Sequence, residues 1–253
     1  MQHRIELAPF LFDIKSNIPL VNQNIKHLYP SEIILDSNRP FDYCVSLNYT
    51  NIFRRFLRPQ STFKFDEDTP FLGGTINHSY ANLEWGMNYV IASNAFEYVV
   101  IHSGIVAHGN EAILFPAPPG SGKSTLTAYM QGCQNWRLLS DEMALIRPNT
   151  DTAVPFVRPI CLKNTSVQLV KSWYPNAKFS TVASNTHKGD VVHLGPSDLS
   201  WKKRKLDAKI KAIVFPKYSK NTPLNIIKLN KTQGFMQLAE NAFNFNLLGQ
   251  IGF

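Results

Sequence analysis

The sequence predicts an α/β protein built on a mixed sheet, and three observations carry that prediction. An apolar strand, a glycine-rich loop and a helical run follow one another over residues 112–131. Just before that strand, Gly109-Asn110 is a two-residue hairpin signal, which gives the strand an antiparallel neighbour. Residues 1–85 carry short apolar stretches bounded by turn residues, the mark of a β-rich region. The usual setting of such a loop has parallel neighbours on both sides of its strand, so the hairpin is what makes this sheet mixed.

The elements follow in order. Phe10-Leu11-Phe12-Asp13-Ile14, residues 41–47 and Phe63-Lys64-Phe65 read as strands, with a short helix over 20–29 between Pro19 and Pro30. Residues 81–98 set Leu83, Met87, Val90, Ile91 and Phe96 at helical spacing, and 99–107 reads as one strand. After the loop comes a helix over 124–131, which Gly132 is placed to end. Residues 136–146 read as a single apolar strand interrupted by Asp141 and Glu142. Strands at 152–157, 191–194 and 212–215 and helices at 167–173 and 231–243 complete the reading. We expect a β-rich N-terminal subdomain of residues 1–85 packed on a core of residues 86–253, with no repeat and no low-complexity linker.

Composition bounds the function. The chain has 253 residues, and at 44% hydrophobic it has enough apolar surface for a buried core. No apolar run reaches the ~20 residues of a membrane span, and the first residues lack the apolar core of a secretory signal, so a cytoplasmic protein is the expectation. Cys44, Cys133 and Cys161 are too scattered for a metal site or a disulfide framework and read as buried small residues. A formal net charge of +8 favours acidic partners such as nucleotide phosphates, but no nucleic-acid-binding signature is present. Lys202-Lys203-Arg204-Lys205 reads as a solvated loop, with a docking patch for an acidic partner as the alternative. The apolar end, residues 247–253, either docks on the core or in the contact of a homo-oligomer, or marks a shortened chain.

The loop reads Ala117-Pro118-Pro119-Gly120-Ser121-Gly122-Lys123-Ser124-Thr125, a Walker A phosphate-binding loop with Ala117 where a glycine is usual. Pro119, Gly120, Ser121, Gly122, Lys123, Ser124 and Thr125 form the expected nucleotide cradle. Glycine lets the backbone approach a phosphate, and the amides at the helix start point into one anion-sized hollow. Lys123 reaches the β- and γ-phosphates of ATP, and the Ser124 hydroxyl is a ligand for Mg²⁺. Asp141 lies 18 positions beyond Lys123, so a strand–loop–helix–strand unit returns it near Ser124. Of Asp141 and Glu142, one carboxylate suits Mg²⁺ and the other suits proton abstraction from an attacking hydroxyl. His102, one strand away, either contacts the transferred group or a carboxylate, or is a hydrogen-bonded core histidine. Arg158, Lys163 and Lys188 read as turn residues, each a cation for transition-state charge or an ordinary surface group.

Leu83-Glu84-Trp85-Gly86-Met87-Asn88, His102, the Pro-Pro-Gly-Ser-Gly-Lys-Ser-Thr loop and Leu138-Leu139-Ser140-Asp141-Glu142 together resemble the HPr-kinase-related kinase A family. The similarity continues through Arg158-Pro159, Leu162-Lys163-Asn164, Lys188-Gly189 and Phe215-Pro216 to Asn241-Ala242-Phe243-Asn244. That family is similar in its core to HPr kinase/phosphorylase and, more remotely, to ATP-dependent phosphoenolpyruvate carboxykinase. The resemblance implies an HPr-kinase-like P-loop core in residues 86–253. It also implies a chain shortened at its C-terminus. It matches His102 to the histidine before the loop strand, and Asp141 and Glu142 to a paired-aspartate motif. Pro118, Thr125 and Glu142 depart from the pattern, and the protein-docking region of HPr kinases is not recognisable.

The expectation is an ATP- and Mg²⁺-dependent kinase that phosphorylates a hydroxyl, Ser or Thr of a protein or peptide, with Asp141, Glu142 and His102 as catalytic residues. A kinase of a small hydroxylated metabolite and a nucleotide-binding regulatory protein without turnover are the alternatives.

Overall fold

The computed structural model describes residues 1–36, 38–244 and 248–249. Ile5, Leu7, Phe12 and Ile14 are almost wholly buried, and they stand on β1 (Gln2–Leu7) and β2 (Phe10–Lys15). These two strands form the centre of a six-stranded sheet with β3 (Ile34–Leu35), β4 (Tyr43–Tyr49), β5 (Gln60–Phe65) and β6 (Gly74–Thr75). Its order is β3-β1-β2-β4-β5-β6, antiparallel throughout except for the β2–β4 pair. Helix α1 (Pro19–Leu28) begins on a proline whose missing N–H would be unpaired there anyway. A single turn, α2 (Phe53–Phe56), follows, and then the long α3 (Ser79–Asn94). Leu83, Met87, Val90 and Ile91 of α3 join the buried residues of β1, β2, β4 and α1 in one apolar core.

The second sheet carries the loop. Its strands are β7 (Val99–Ile101), β8 (Ser103–His108), β9 (Glu111–Pro116), β10 (Arg137–Ser140), β11 (Ala144–Ile146), β12 (Thr152–Val154) and β16 (Ala208–Ile213). The order is β10-β8-β9-β16-β12-β11-β7. As the Gly109-Asn110 signal implied, β8 and β9 form an antiparallel hairpin, while β16 lies parallel to β9 on its other side. The protein is therefore mixed α/β with mixed sheets.

Both ends of this sheet belong to one ribbon, because β7 leads into β8 and β10 leads into β11. Ile101 pairs with Ala144 and Ile105 pairs with Ser140, so the two segments keep one antiparallel register across an opening at 102–104 and 141–143. The sheet thus returns on itself. Its inward face is lined by Ile105, Leu114 and Leu139 together with Ala107, Ala112, Ala144, Ala153 and Ala208, and the alanines let the strands close tightly.

A third, three-stranded sheet of β13 (Ile160–Lys163), β14 (Ala183–Thr186) and β15 (Gly189–Leu194) lies on the far side of α4 (Lys123–Cys133). Helix α5 (Thr165–Trp173) packs there too, and α6 (Asp198–Lys202) and α7 (Lys231–Ala239) complete the elements. Among the described residues no helix is long and apolar enough to cross a membrane.

Helix α4 is seated on β8 at Gly104. A Cβ at that position would fall inside contact distance of Thr127 Oγ1, and Thr127 is fully buried with its hydroxyl donated to Lys123 O at 3.0 Å. A β-branched side chain so held has no other rotamer to take. Gly104→Ala should lower stability by about 1–3 kcal/mol, read by urea denaturation; an unchanged midpoint would mean that this contact does not seat the helix.

Several expectations are corrected. Residues 99–107 and 136–146 are not continuous strands: the first breaks at His102 and the second at 141–143. Gly132 does not end α4, which runs on to Cys133; a side chain there would strike the Tyr174 ring, so glycine serves close packing instead. Helix α3 stops at Asn94 rather than 98, where Ala95 leaves helical geometry with ψ of 66°. Helix α7 ends at Ala239, not 243. The expected division between residues 85 and 86 falls inside α3, and the core of the first sheet takes in Met143, Leu145, Phe156 and Trp201. Cys161 is buried, but Cys44 is only partly so and Cys133 is exposed, with its sulfur accepting from the Tyr174 hydroxyl at 2.9 Å. In the basic run, Arg204 and Lys205 pair with Glu6 at 3.7 and 2.7 Å. The apolar end, residues 247–253, lies outside the described residues apart from Leu248 and Gly249.

Candidate functional site

The glycine-rich loop joins β9 to α4. Gly120 and Gly122 have φ of +87° and +91°, backbone angles that side chains rarely adopt, which explains glycine at both. Pro119 and Gly120 are exposed, whereas Ser121, Gly122, Ser124 and Thr125 are half-buried at the start of α4. That start carries unpaired amides and the positive end of the helix dipole. Behind the loop, the Tyr218 N–H donates to Ser121 O at 3.0 Å, so the chain leaving β16 braces it.

Lys123 turns inward. Only 6% exposed, its Nζ donates to Ala117 O at 3.0 Å and to His102 Nε2 at 3.1 Å. Because Nε2 accepts, the proton of a neutral His102 ring sits on Nδ1. Burial and the Lys123 charge push the His102 pKa down to about 4, so the ring is neutral near pH 7. Burial likewise lowers the pKa of Lys123, though Asp141 and Glu142 oppose this. His102 is held at the break between β7 and β8 by its own N–H, which donates to Asn241 O at 2.7 Å, and by Phe243, 5.4 Å away between ring centroids.

The acids lie in the matching break between β10 and β11. Continuing the register places 141–143 opposite 102–104, and the Met143 N–H there is satisfied by Ser140 Oγ at 3.1 Å. Asp141 is 5% exposed; its Oδ2 accepts from the Cys161 N–H at 3.1 Å, while its Oδ1 has no partner among the described residues. Burial and the neighbouring Glu142 raise its pKa to about 7, opposed by the Lys123 charge and the Cys161 amide, while the Ser124 hydroxyl lies near the carboxylate without a hydrogen bond to it. Loop, lysine, serine and acid therefore meet, as the spacing of Lys123 and Asp141 implied.

Glu142 behaves oppositely. Burial would raise its pKa, but Lys163, Lys188 and Arg158 outweigh burial and hold it below the usual carboxylate value. Its Oε2 accepts from Asn88 Nδ2 on α3. Asn88 Oδ1 in turn accepts from Arg158 Nη1 at 2.8 Å, and Arg158 forks onto Glu84 Oε2 through Nε at 3.2 Å and Nη2 at 2.8 Å. Tyr29 and Tyr80 donate to the other Glu84 oxygen at 2.7 and 2.6 Å. Arg158 is thus not a surface turn residue, and its guanidinium is spent on Glu84 and Asn88.

The chain matches no protein-family model and no curated protein. The chemistry of the site rests on its own atoms. Glu84 and Asn88 are the members that the sequence does not mark as site residues, although Glu84 shares a helix face with Leu83, Met87, Val90 and Ile91 and only a buried partner explains a carboxylate there. Glu84, Asn88, Asp141, Glu142, Arg158 and His193 line a cavity of about 20 Å³, room for about one water molecule. Among the described residues no group of three or more His, Cys, Asp or Glu is placed to hold a metal ion.

Proposed function

We propose that this chain is an ATP- and Mg²⁺-dependent phosphotransferase that passes the γ-phosphoryl group to a hydroxyl, Ser or Thr of a protein or peptide. The resemblance to the HPr-kinase-related kinase A family points the same way, and with it to a P-loop core of the HPr kinase type. The observation that carries the reading is Asp141: a buried acid with one unpaired oxygen and a pKa near 7, beside a lysine and a serine of a phosphate-binding loop.

Residue roles follow from that arrangement. Loop amides at the start of α4 bind the phosphate oxygens. Lys123 leaves a neutral histidine and a carbonyl for these stronger, charged acceptors. Asp141 Oδ1 takes the proton of the attacking hydroxyl, since a base works best when its pKa lies near ambient pH. Glu142 stays charged, fixed by Asn88 and stabilised by the positive charges of Lys163 and Lys188. Mg²⁺ generally keeps one or two protein oxygens and takes the rest from phosphates and water, and the Ser124 hydroxyl at the start of α4 would be one such oxygen. When bound, the ion supplies charge neutralisation on the phosphates.

Lys123→Met tests the reading. Calorimetric titration with Mg·ATP should give saturable binding to the parent protein and at least ~100-fold weaker binding to the variant, the scale of losing one preorganised cationic donor. Equal affinity of the two proteins would overturn it.

A further inference from the structure

A cavity of about 520 Å³ opens beside the carboxylates, between α3, the turn of residues 66–73 and the β14–β15 hairpin. Resting on the phosphotransferase reading, we propose that this cavity receives a bulky apolar side chain that flanks the acceptor hydroxyl in a peptide.

Its position argues for an acceptor rather than for the nucleotide. Lys188 stands on the cavity wall, and its charge acts on Glu142. Helix α3 ties cavity and carboxylate together. Asn88 grips Glu142, and Trp85 and Tyr89, flanking it in sequence, line the cavity. A group seated there would hold its neighbouring hydroxyl next to Asp141.

The walls say what fits. Phe71 touches Phe63 and Tyr89 with ring centroids 5.7 and 5.3 Å apart, Lys188 Nζ lies 4.4 Å from the Trp85 ring centroid, and Leu72 is 98% exposed at the rim. A volume of this size whose wall carries the rings of Phe63, Phe71, Trp85 and Tyr89 suits an aromatic or large aliphatic side chain. Asn82, half-buried in the same wall, offers its side-chain amide to the backbone of a peptide, a pairing that a plain hydrocarbon lacks.

The test uses Ac-Phe-Ser-Phe-NH₂ and Ac-Gly-Ser-Gly-NH₂ as probes, with calorimetry for binding and labelled ATP for transfer. The aromatic peptide should bind at least ten-fold tighter and be the better acceptor. Leu72→Asp and Tyr89→Asp, on exposed side chains, should each remove that preference while Mg·ATP binding stays unchanged. Equal affinity for the two peptides, a preference that survives both substitutions, or transfer to phenylalaninol in place of the peptide overturns the proposal. Peptide binding without any Mg·ATP binding would instead sink the phosphotransferase reading alone.

Discussion

On the proposed phosphotransferase reading, Asp141→Asn should lower phosphoryl transfer by about 10²–10⁴-fold, the usual worth of a positioned general base, while Mg·ATP binding stays almost as before. Asparagine keeps the shape and still accepts the Cys161 N–H, but it has no lone pair basic enough to take a proton. The pH profile is the sharper readout. The parent's transfer rate should rise with pH through about 7 as Asp141 loses its proton, and that limb should vanish in the variant. The same shift has a stability consequence whose sign is fixed. Between pH 4 and 7 the folded protein keeps a proton on Asp141 that the unfolded chain has released, so stability contributed by this group falls as pH rises through that window. Urea denaturation of the nucleotide-free protein should therefore show a shallower decline in Asp141→Asn than in the parent. If the variant instead loses the Mg²⁺ dependence of nucleotide binding, Asp141 is a metal ligand and the proton goes elsewhere.

Glu84→Ala should be the most destabilising single change, by about 3–5 kcal/mol, because it leaves a buried charge without its counterpart. Glu84 is 1% exposed and Arg158 8%, and the pair meets at 2.8 Å. The substitution strands the guanidinium and removes the acceptor of two buried tyrosine hydroxyls. Glu84→Gln keeps acceptor oxygen and volume, so it should fall between parent and alanine. Transfer should weaken as well, since Arg158 also orients Asn88 and, through it, Glu142. Chemical denaturation measures the first effect; a loss below about 1 kcal/mol would mean that the tyrosines and Arg158 find other partners.

The phosphate loop was legible because its chemistry is local. Gly120 and Gly122 need their backbone angles whatever surrounds them, and Gly109-Asn110 dictates a hairpin from two residues. The nearness of Asp141 to Ser124 also follows from chain length alone. What could not be read depends on distant partners. Nothing in the apolar run 99–107 shows that its ladder opens at His102, since opening depends on Asn241 taking the freed amide. Arg158, set before Pro159, looks like a turn residue until Glu84 is brought to it from 74 positions upstream. Strand β1 does not stand out because Ile5 and Leu7 are its only apolar positions, with His3 in the third, and its buried Arg4 is neutralised by Asp13 across the pair at 3.1 Å. The cavity beside α3 draws on α3, β5 and the turn that follows β14 at once, and no stretch of sequence announces such a meeting.

The interruption in the returning sheet limits how this site can vary. With Ile101 locked to Ala144 and Ile105 to Ser140, three residues must bridge each side, neither more nor fewer. An insertion or deletion in either bridge would throw the flanking strands out of phase and turn their inward alanines to the outside. The number of residues in these two bridges is thus frozen by the strands on either side, a constraint separate from the chemistry that fixes Asp141 and the close packing that fixes Gly104.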